Sequence, residues 1–422
     1  MKAYSKILIL LTIAILAIGN VQAQSKSGGI HAGVNLANMP AITKMAGTAE
    51  ELKNAVINAS NGDVIGIKPG KYNVTELNLN LIDKHNIVLR SESGNPDDVI
   101  LTGNGFHKSG SREIQLLQIT KNSSYITIYG ITFRDANVHG IKVAGEDNVG
   151  YITIDNCKFF NINERMIKGS QRGNLRVPGM VITNCHFEND LNCIPVESDK
   201  PGWDCAYIGG IDMMVLDNAV ISDNKFVNIR GANGAGRGAI FIWQGSVNII
   251  AERNTIVNCD RGICFGNSAG PDGRLGDDYF YHVNGGIIRN NMIVANQAEA
   301  IEIGWAKDVK VYNNTIYRNS PGRGIRDSGA ELSVNTVIEN NILRSANLDN
   351  QKNAEIGAHN LVDNGIPDSY FVNPEAGNLR LTPEAVRAIG KGVVLDKVED
   401  DIDKRLRSRK VFDIGASGYC CF

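Results

Sequence analysis

The 422-residue chain is predicted to be an all-β solenoid on three observations: a recurring asparagine motif, apolar and polar alternation within each copy, and a second recurring G-I-x segment. The asparagine motif, close to I-x-x-N-x-I/F, appears as VISDNKF around Asn224, IAERNTI around Asn254, IIRNNMI around Asn291, VYNNTIY around Asn314 and VIENNIL around Asn341, one copy every 23 to 37 residues. A repeat of that size marks a stack of supersecondary units, each burying its apolar face against its neighbours. Alternation, as in Ile152-Thr-Ile154, Ile301-Glu-Ile303 and Val309-Lys-Val311, builds the unit from short strands and makes leucine-rich repeats a poor fit.

One asparagine per turn of strand-rich chain resembles the right-handed parallel β-helix, in which inward asparagines stack and hydrogen-bond along the axis. The resemblance covers roughly residues 64–343. Counting back, the asparagine column continues as Cys185, Cys157 and Ile131, each two residues before Phe187, Phe159 or Phe133. The two cysteines read as small buried hydrophobes, since a metal or redox role would want paired thiolates or a histidine partner.

Taken in order, the chain opens with Lys2 and Lys6, an apolar run from Ile7 to Gly19 and small residues placed for cleavage after Ala23. Residues 1–23 are therefore expected to be a secretory signal peptide, too short to span a bilayer, which makes the mature protein exported, periplasmic or secreted. Residues 24–45 are polar and glycine-rich and read as a flexible N-terminus. Ala49 to Ile57 has helical spacing and is expected to cap the open end of a β-helix domain spanning 46–345, where an uncovered coil would invite edge pairing.

The first strand is expected at Val64-Ile-Gly-Ile67. Two segments exceed the usual coil length, 190–209 and 267–283, and long excursions of this kind build binding walls. Residues 346–422 read as loops, a short helix near Pro383 to Ile389, a solvated charged run from Glu399 to Lys410 and a closing strand at Phe412-Asp-Ile-Gly-Ala416. Of eight cysteines, Cys193 and Cys205 flank one loop and are the first pair to test for a disulfide, while Cys420 and Cys421 are adjacent.

A formal net charge of −2 with 21% charged residues gives no global attraction for nucleic acid or an anionic membrane, so any pull on an acidic ligand is local. With 45 Gly and 11 Pro, one elongated body, expected to be a monomer, suits the composition better than several domains.

The G-I-x segments align the outward positions: Gly140-Ile-Lys142, Met166-Ile-Lys168, Gly210-Ile-Asp212, Ala239-Ile-Phe241, Gly262-Ile-Cys264, Ala300-Ile-Glu302 and Gly324-Ile-Arg326. With each isoleucine inward, the next residue points out. Lys142 and Lys168 then stand side by side, about 4.8 Å apart at the strand spacing, with Asp212 next. Two ammonium groups at that distance repel by ~0.8 kcal/mol in water and ~3 kcal/mol when partly buried.

His139 and Arg165, three residues earlier at the corner, bring four cationic or potentially cationic groups onto two adjacent coils, an arrangement that an anionic ligand would stabilise. Lysine stems diverging into solvent are the alternative. Phe241 and Trp243, following Arg237, offer a platform for a sugar face. Arg261 and Arg323 repeat the corner position, and Tyr279, Tyr281 and His282 end the second excursion beside the groove.

Those residues suit β-elimination from a uronic acid: a cation neutralises the carboxylate, a base removes H5, and another group assists departure at C4. Catalysis is assigned to Lys168, His139, Lys142 and Arg165, with Lys168 or His139 as base. Substrate binding is assigned to Asp212, which would also orient Lys168, and to Arg237, Trp243, Arg261, Tyr281 and His282. The expected partner is an acidic oligo- or polysaccharide.

The segment Glu164-Arg-Met-Ile-Lys168-Gly-Ser170 resembles β-helix polysaccharide lyases of the alginate lyase and chondroitinase B type. That resemblance implies a lysine base with a nearby glutamate helping to hold calcium. The segment departs in spacing and lacks a second acidic ligand, so neither a metal site nor a cofactor is expected. Gly209-Gly-Ile-Asp212 and Asp260-Arg-Gly-Ile263 resemble β-helix proteins of polysaccharide-utilisation loci, including the oligosaccharide dehydratases of ulvan breakdown, in which elimination expels water from a terminal uronate.

Two other classes stay open. A glycoside hydrolase needs two carboxyl groups within about 5 to 10 Å; Asp212 and Glu302 are three coils apart, about 14 Å, so Glu197 or Asp204 would have to reach Asp212. A non-catalytic carbohydrate-binding solenoid would need only Trp243 and a basic groove.

Overall fold

A computed structural model describes residues 34–419 apart from 108–114, 172, 174, 198–202, 235, 272–279, 329–332 and 351–353. The signal-peptide segment, residues 24–33, Tyr279, Cys420 and Cys421 lie outside the described residues. The strands coil into a three-faced parallel β-helix. One face is a sheet of 13 strands that includes Gly150–Asp155, Leu216–Ser222 and Ser246–Glu252. The other two faces join into a 19-stranded sheet through strands that pass round the bend, such as Thr315–Asp327. Every pairing between coils is parallel, and all three inner faces share one apolar core.

The asparagine column is the spine of the coil. Asn224, Asn254, Asn291 and Asn314 each donate a backbone N–H to the side-chain oxygen of the next asparagine, at 3.1, 2.9, 3.1 and 2.9 Å. The ladder runs one coil further than the sequence motif, from Asn341 to Asn360 at 3.0 Å. At its upper end Cys185 N–H donates to Asn224 at 2.9 Å and Cys157 N–H to the Cys185 sulfur at 3.4 Å, so both thiols occupy ladder positions in the core.

The residue before each ladder position turns the corner in the left-handed region, with φ of 51° to 59° at Asn156, Asn184, Asp223, Arg253, Asn290, Asn313 and Asn340. Asparagine tolerates that conformation best among side-chain-bearing residues, which explains the doubled Asn-Asn of three copies. Beyond each corner Phe133, Phe159, Phe187 and Phe226 stack at 5.2, 4.8 and 4.6 Å between ring centres.

Replacing Asn291 by alanine is expected to orphan two buried donors, since both the backbone N–H and the amide of Asn254 give to Asn291, at 2.9 and 3.0 Å. At ~1–3 kcal/mol for each unsatisfied group, the denaturation midpoint should fall well below that of Asn360→Ala at the half-buried ladder end. Equal shifts would contradict the ladder's role.

The capping helix forms at Ala49–Ile57; Thr48 accepts from Glu51 N–H at 3.1 Å, and Leu52 and Val56 close the core. The first strand is earlier than the apolar pattern implied. Lys44–Ala46 pairs with Val64–Ile67, adding to the sheet before the helix with a strand too short to carry a periodic signal.

The C-terminal segment also differs from its reading. Asp400 and Asp401 are buried, not solvated, because the coil corners present Arg253 and Asn290 to them: Arg253 Nη1 lies 2.8 Å from Asp400, and Asn290 donates to the Asp400 carbonyl at 2.9 Å. Residues 383–389 form turns rather than a helix. Phe412 makes an isolated bridge to Gly392, while Phe412, Ile414 and Ala416 bury their side chains against the last coils.

Candidate active site

The outward column stacks in the predicted register on the third face. Lys142 pairs with Lys168, Lys168 with Asp212, Asp212 with Phe241, Phe241 with Cys264, Cys264 with Glu302 and Glu302 with Arg326. His139 pairs with Arg165 at the corner leading into the same strands. Lys142 and Lys168 therefore emerge on neighbouring coils of one wall, both partly exposed.

Asp212 is the hub. Although it points outward, it is fully buried, and its carboxylate takes three donors: Arg165 Nε at 2.8 Å, Lys168 Nζ at 3.1 Å and Trp243 Nε1 at 3.0 Å. Burial alone would raise its pKa, but the charges of Lys168 and Arg165 outweigh that and hold the carboxyl ionised, well below the usual range. With its oxygens so occupied, Asp212 positions Lys168 and Arg165 and does not face a ligand. The same occupancy removes it from any hydrolytic carboxylate pair; Glu197 and Asp204 are exposed on the loop.

The groups around the hub are tuned by burial. His139 is 9% exposed, and its Nδ1 has no hydrogen-bond partner. Burial, reinforced by Arg165, Lys168 and Lys142, pushes its pKa well below the ordinary histidine value, so the ring is neutral at pH 7. Burial also pulls the Lys168 ammonium down from its ordinary value, with Asp212 opposing. Glu164 Oε2 lies 3.4 Å from Arg165 and 3.9 Å from His139 Nε2, closing the cluster from behind.

A residue that the repeat did not reveal completes the wall. Tyr207 lies under the Arg165 guanidinium, 4.0 Å from ring centre to Cζ, and 5.7 Å from Arg237. It follows the Cys193–Cys205 disulfide, which ties down the first excursion as the cysteine spacing suggested. The corner position at Gly209 makes room for the two arginines. A Cβ there would lie 3.1 Å from Arg237 Cβ and 3.7 Å from Arg165 Cγ, so a larger side chain would crowd both arginines. No motif marks Tyr207, because excursions lack a repeat against which to align; its place two residues after Cys205 was the available signal.

Arg237 lies over Phe241 at 5.1 Å and Trp243 at 5.7 Å. Phe241 is wholly buried beneath these neighbours and offers no free face, while Trp243 stays partly exposed with its indole N–H committed to Asp212. Arg261 sits at the same corner three coils beyond Arg165, 3.8 and 3.6 Å from Glu299 and Glu302. His282 is not brought into the cluster as a ligand group: Nε2 bonds the Ala269 carbonyl at 2.7 Å, Nδ1 accepts from Gln244 N–H at 3.2 Å, and the residue is fully buried. Tyr281 packs edge-on against Phe280 at 5.0 Å. Among the described residues no group of three or more His, Cys, Asp or Glu is arranged to hold a metal ion.

No protein-family model matches the chain, and no curated protein matches it by sequence. Among solved structures it is similar to pectate lyase Pel9A, with a TM-score of 0.53 at 13% identity over 90% of this chain and 97% of that one. That likeness shows the fold. An alginate lyase from Paenibacillus sp. str. FPU-7 is also similar, with a TM-score of 0.47 at 16% identity over 75% and 98% of the two chains.

Proposed function

We propose that this protein is a carbon–oxygen lyase acting by β-elimination on uronic-acid-containing saccharides. The observation that carries the reading is the gathering of Lys168 and Arg165 on one buried carboxylate, beside a neutral histidine and under a second lysine. In this reading Lys142 and Arg165 place positive charge at the sugar carboxylate, lowering the barrier to loss of H5. Neutral His139 accepts that proton. The C5–H pair becomes the C4=C5 bond as the C4–O bond breaks, and Lys168, its ammonium made more acidic by burial, donates a proton to the departing oxygen. Atoms and charge then balance without an oxidant or a metal.

The leaving group is either a sugar, as in a polysaccharide lyase, or water, as in a terminal uronate dehydratase. The leader-like N-terminus and the disulfide support an exported protein. The mature chain should be incubated with alginate, ulvan, pectin and glycosaminoglycan oligosaccharides, following both ultraviolet absorbance of the conjugated uronate and product mass. Shortened unsaturated chains indicate a sugar leaving group, and a product lighter by one water indicates dehydration. Binding without turnover on every acidic substrate would leave a carbohydrate-binding solenoid and overturn the proposal.

A further inference from the structure

The corner that carries Arg165 does not stop at the catalytic cluster. Arg165, Arg261 and Arg323 recur at that position over five coils, about 24 Å at the strand spacing, with Arg237 one residue before it and Glu299 occupying it on the coil between Arg261 and Arg323. Guanidinium groups gathered along one edge repel one another, and here carboxylates are set among them. At its far end Glu299, 2% exposed, takes Arg323 Nη1 at 2.7 Å and Arg326 Nη1 at 3.0 Å. Glu302, also 2% exposed, accepts from Ser328 at 2.9 Å, but its second oxygen has no hydrogen-bond partner, and neither has Arg261 Nε. Asp349 meets Arg326 from outside at 3.6 Å.

The buried glutamates draw three guanidinium groups together from below while leaving them accessible from above: the side chains of Arg323, Arg261 and Arg326 are 56%, 28% and 22% exposed. A backbone hydrogen bond and those arginines lower the Glu299 pKa against its burial, whereas burial and Glu299 raise that of Glu302.

We propose that Arg261, Arg323 and Arg326, buttressed by Glu299 and Glu302, form a second anion subsite that grips a carboxylate or sulfate group of the same saccharide chain. It begins three coils, about 14 Å, from the Lys168 coil. This rests on the lyase reading and adds to it that the substrate is a polyanionic oligosaccharide several sugars long, with acidic groups recurring along it. Guanidinium forks suit both anions through paired N–H donors.

The test compares Arg323→Ala, at the most exposed position, and a Arg261→Ala/Arg326→Ala double variant with the parent on uronate disaccharide and on hexasaccharide or longer. KM on the long substrate should rise ~tenfold or more relative to the short one, the range expected for lost hydrogen bonds to a charged group. Direct titration of the same oligosaccharides, intact, carboxyl-reduced and desulfated, should show which anion is gripped and lose that discrimination in the variants. Melting temperatures confirm folding. Unchanged long-to-short ratios in Arg323→Ala and the folded double variant would overturn the subsite while leaving the lyase reading intact. Absence of turnover, with length-dependent binding that the variants weaken, would support the subsite and overturn the lyase reading.

Discussion

Alanine at His139 is expected to lower kcat/KM on the responsive uronate substrate by ~10²–10⁴-fold, the usual contribution of a positioned general base. Lys168→Ala should cause a loss of the same order. Since burial and three neighbouring cations hold the His139 pKa well below its ordinary value, the acid limb of the kcat/KM profile should lie below about pH 6.5, and it should vanish in His139→Ala. If both folded variants keep full activity, the proton-transfer assignment is wrong. If the acid limb persists in His139→Ala while Lys168→Ala abolishes turnover, Lys168 is the base. Stability follows the same linkage: a histidine kept neutral by the fold binds a proton more readily when unfolded, so its contribution is present above about pH 6.5 and lost as pH falls below that value.

Asp212→Asn should have the largest effect on stability of any single change at the site. The variant leaves Lys168 and Arg165, with side chains only 12% and 7% exposed, without their shared counter-charge. Breaking a buried ion pair from one side costs about 3–5 kcal/mol, and here two cations lose one partner. Denaturant midpoints at neutral pH should fall accordingly, and activity should fall with the disordered lysine. The sign with pH is a separate check. Because Asp212 is held below its unfolded value, its contribution is full above about pH 4 and shrinks as pH falls toward the folded pKa. The gap between parent and variant should therefore narrow in acid. A gap that stays constant with pH would mean that Asp212 acts through packing rather than charge.

How much of this was legible in the sequence depends on whether a residue belongs to the repeat. The asparagine ladder, the phenylalanine stack and the Lys142–Lys168–Asp212 column follow from periodicity, because one residue per coil at a constant offset must occupy one line along the axis. The cysteine spacing likewise pointed to the Cys193–Cys205 bridge. Tyr207, the commitment of both His282 nitrogens and the burial of Asp400 beside Arg253 were not legible. Each depends on an excursion or on the C-terminal segment folding back, where no neighbouring copy supplies a template.

Sequence alone determined the solenoid, its register and which side chains leave the core, since alternation and period are local properties of the chain. Only the tertiary structure decided that an outward aspartate would be buried, gather a lysine, an arginine and a tryptophan N–H, and leave a nearby histidine neutral. Whether an outward group meets water or other side chains is set by segments far away in sequence, and that desolvation turns a row of charges into a candidate site for proton transfer.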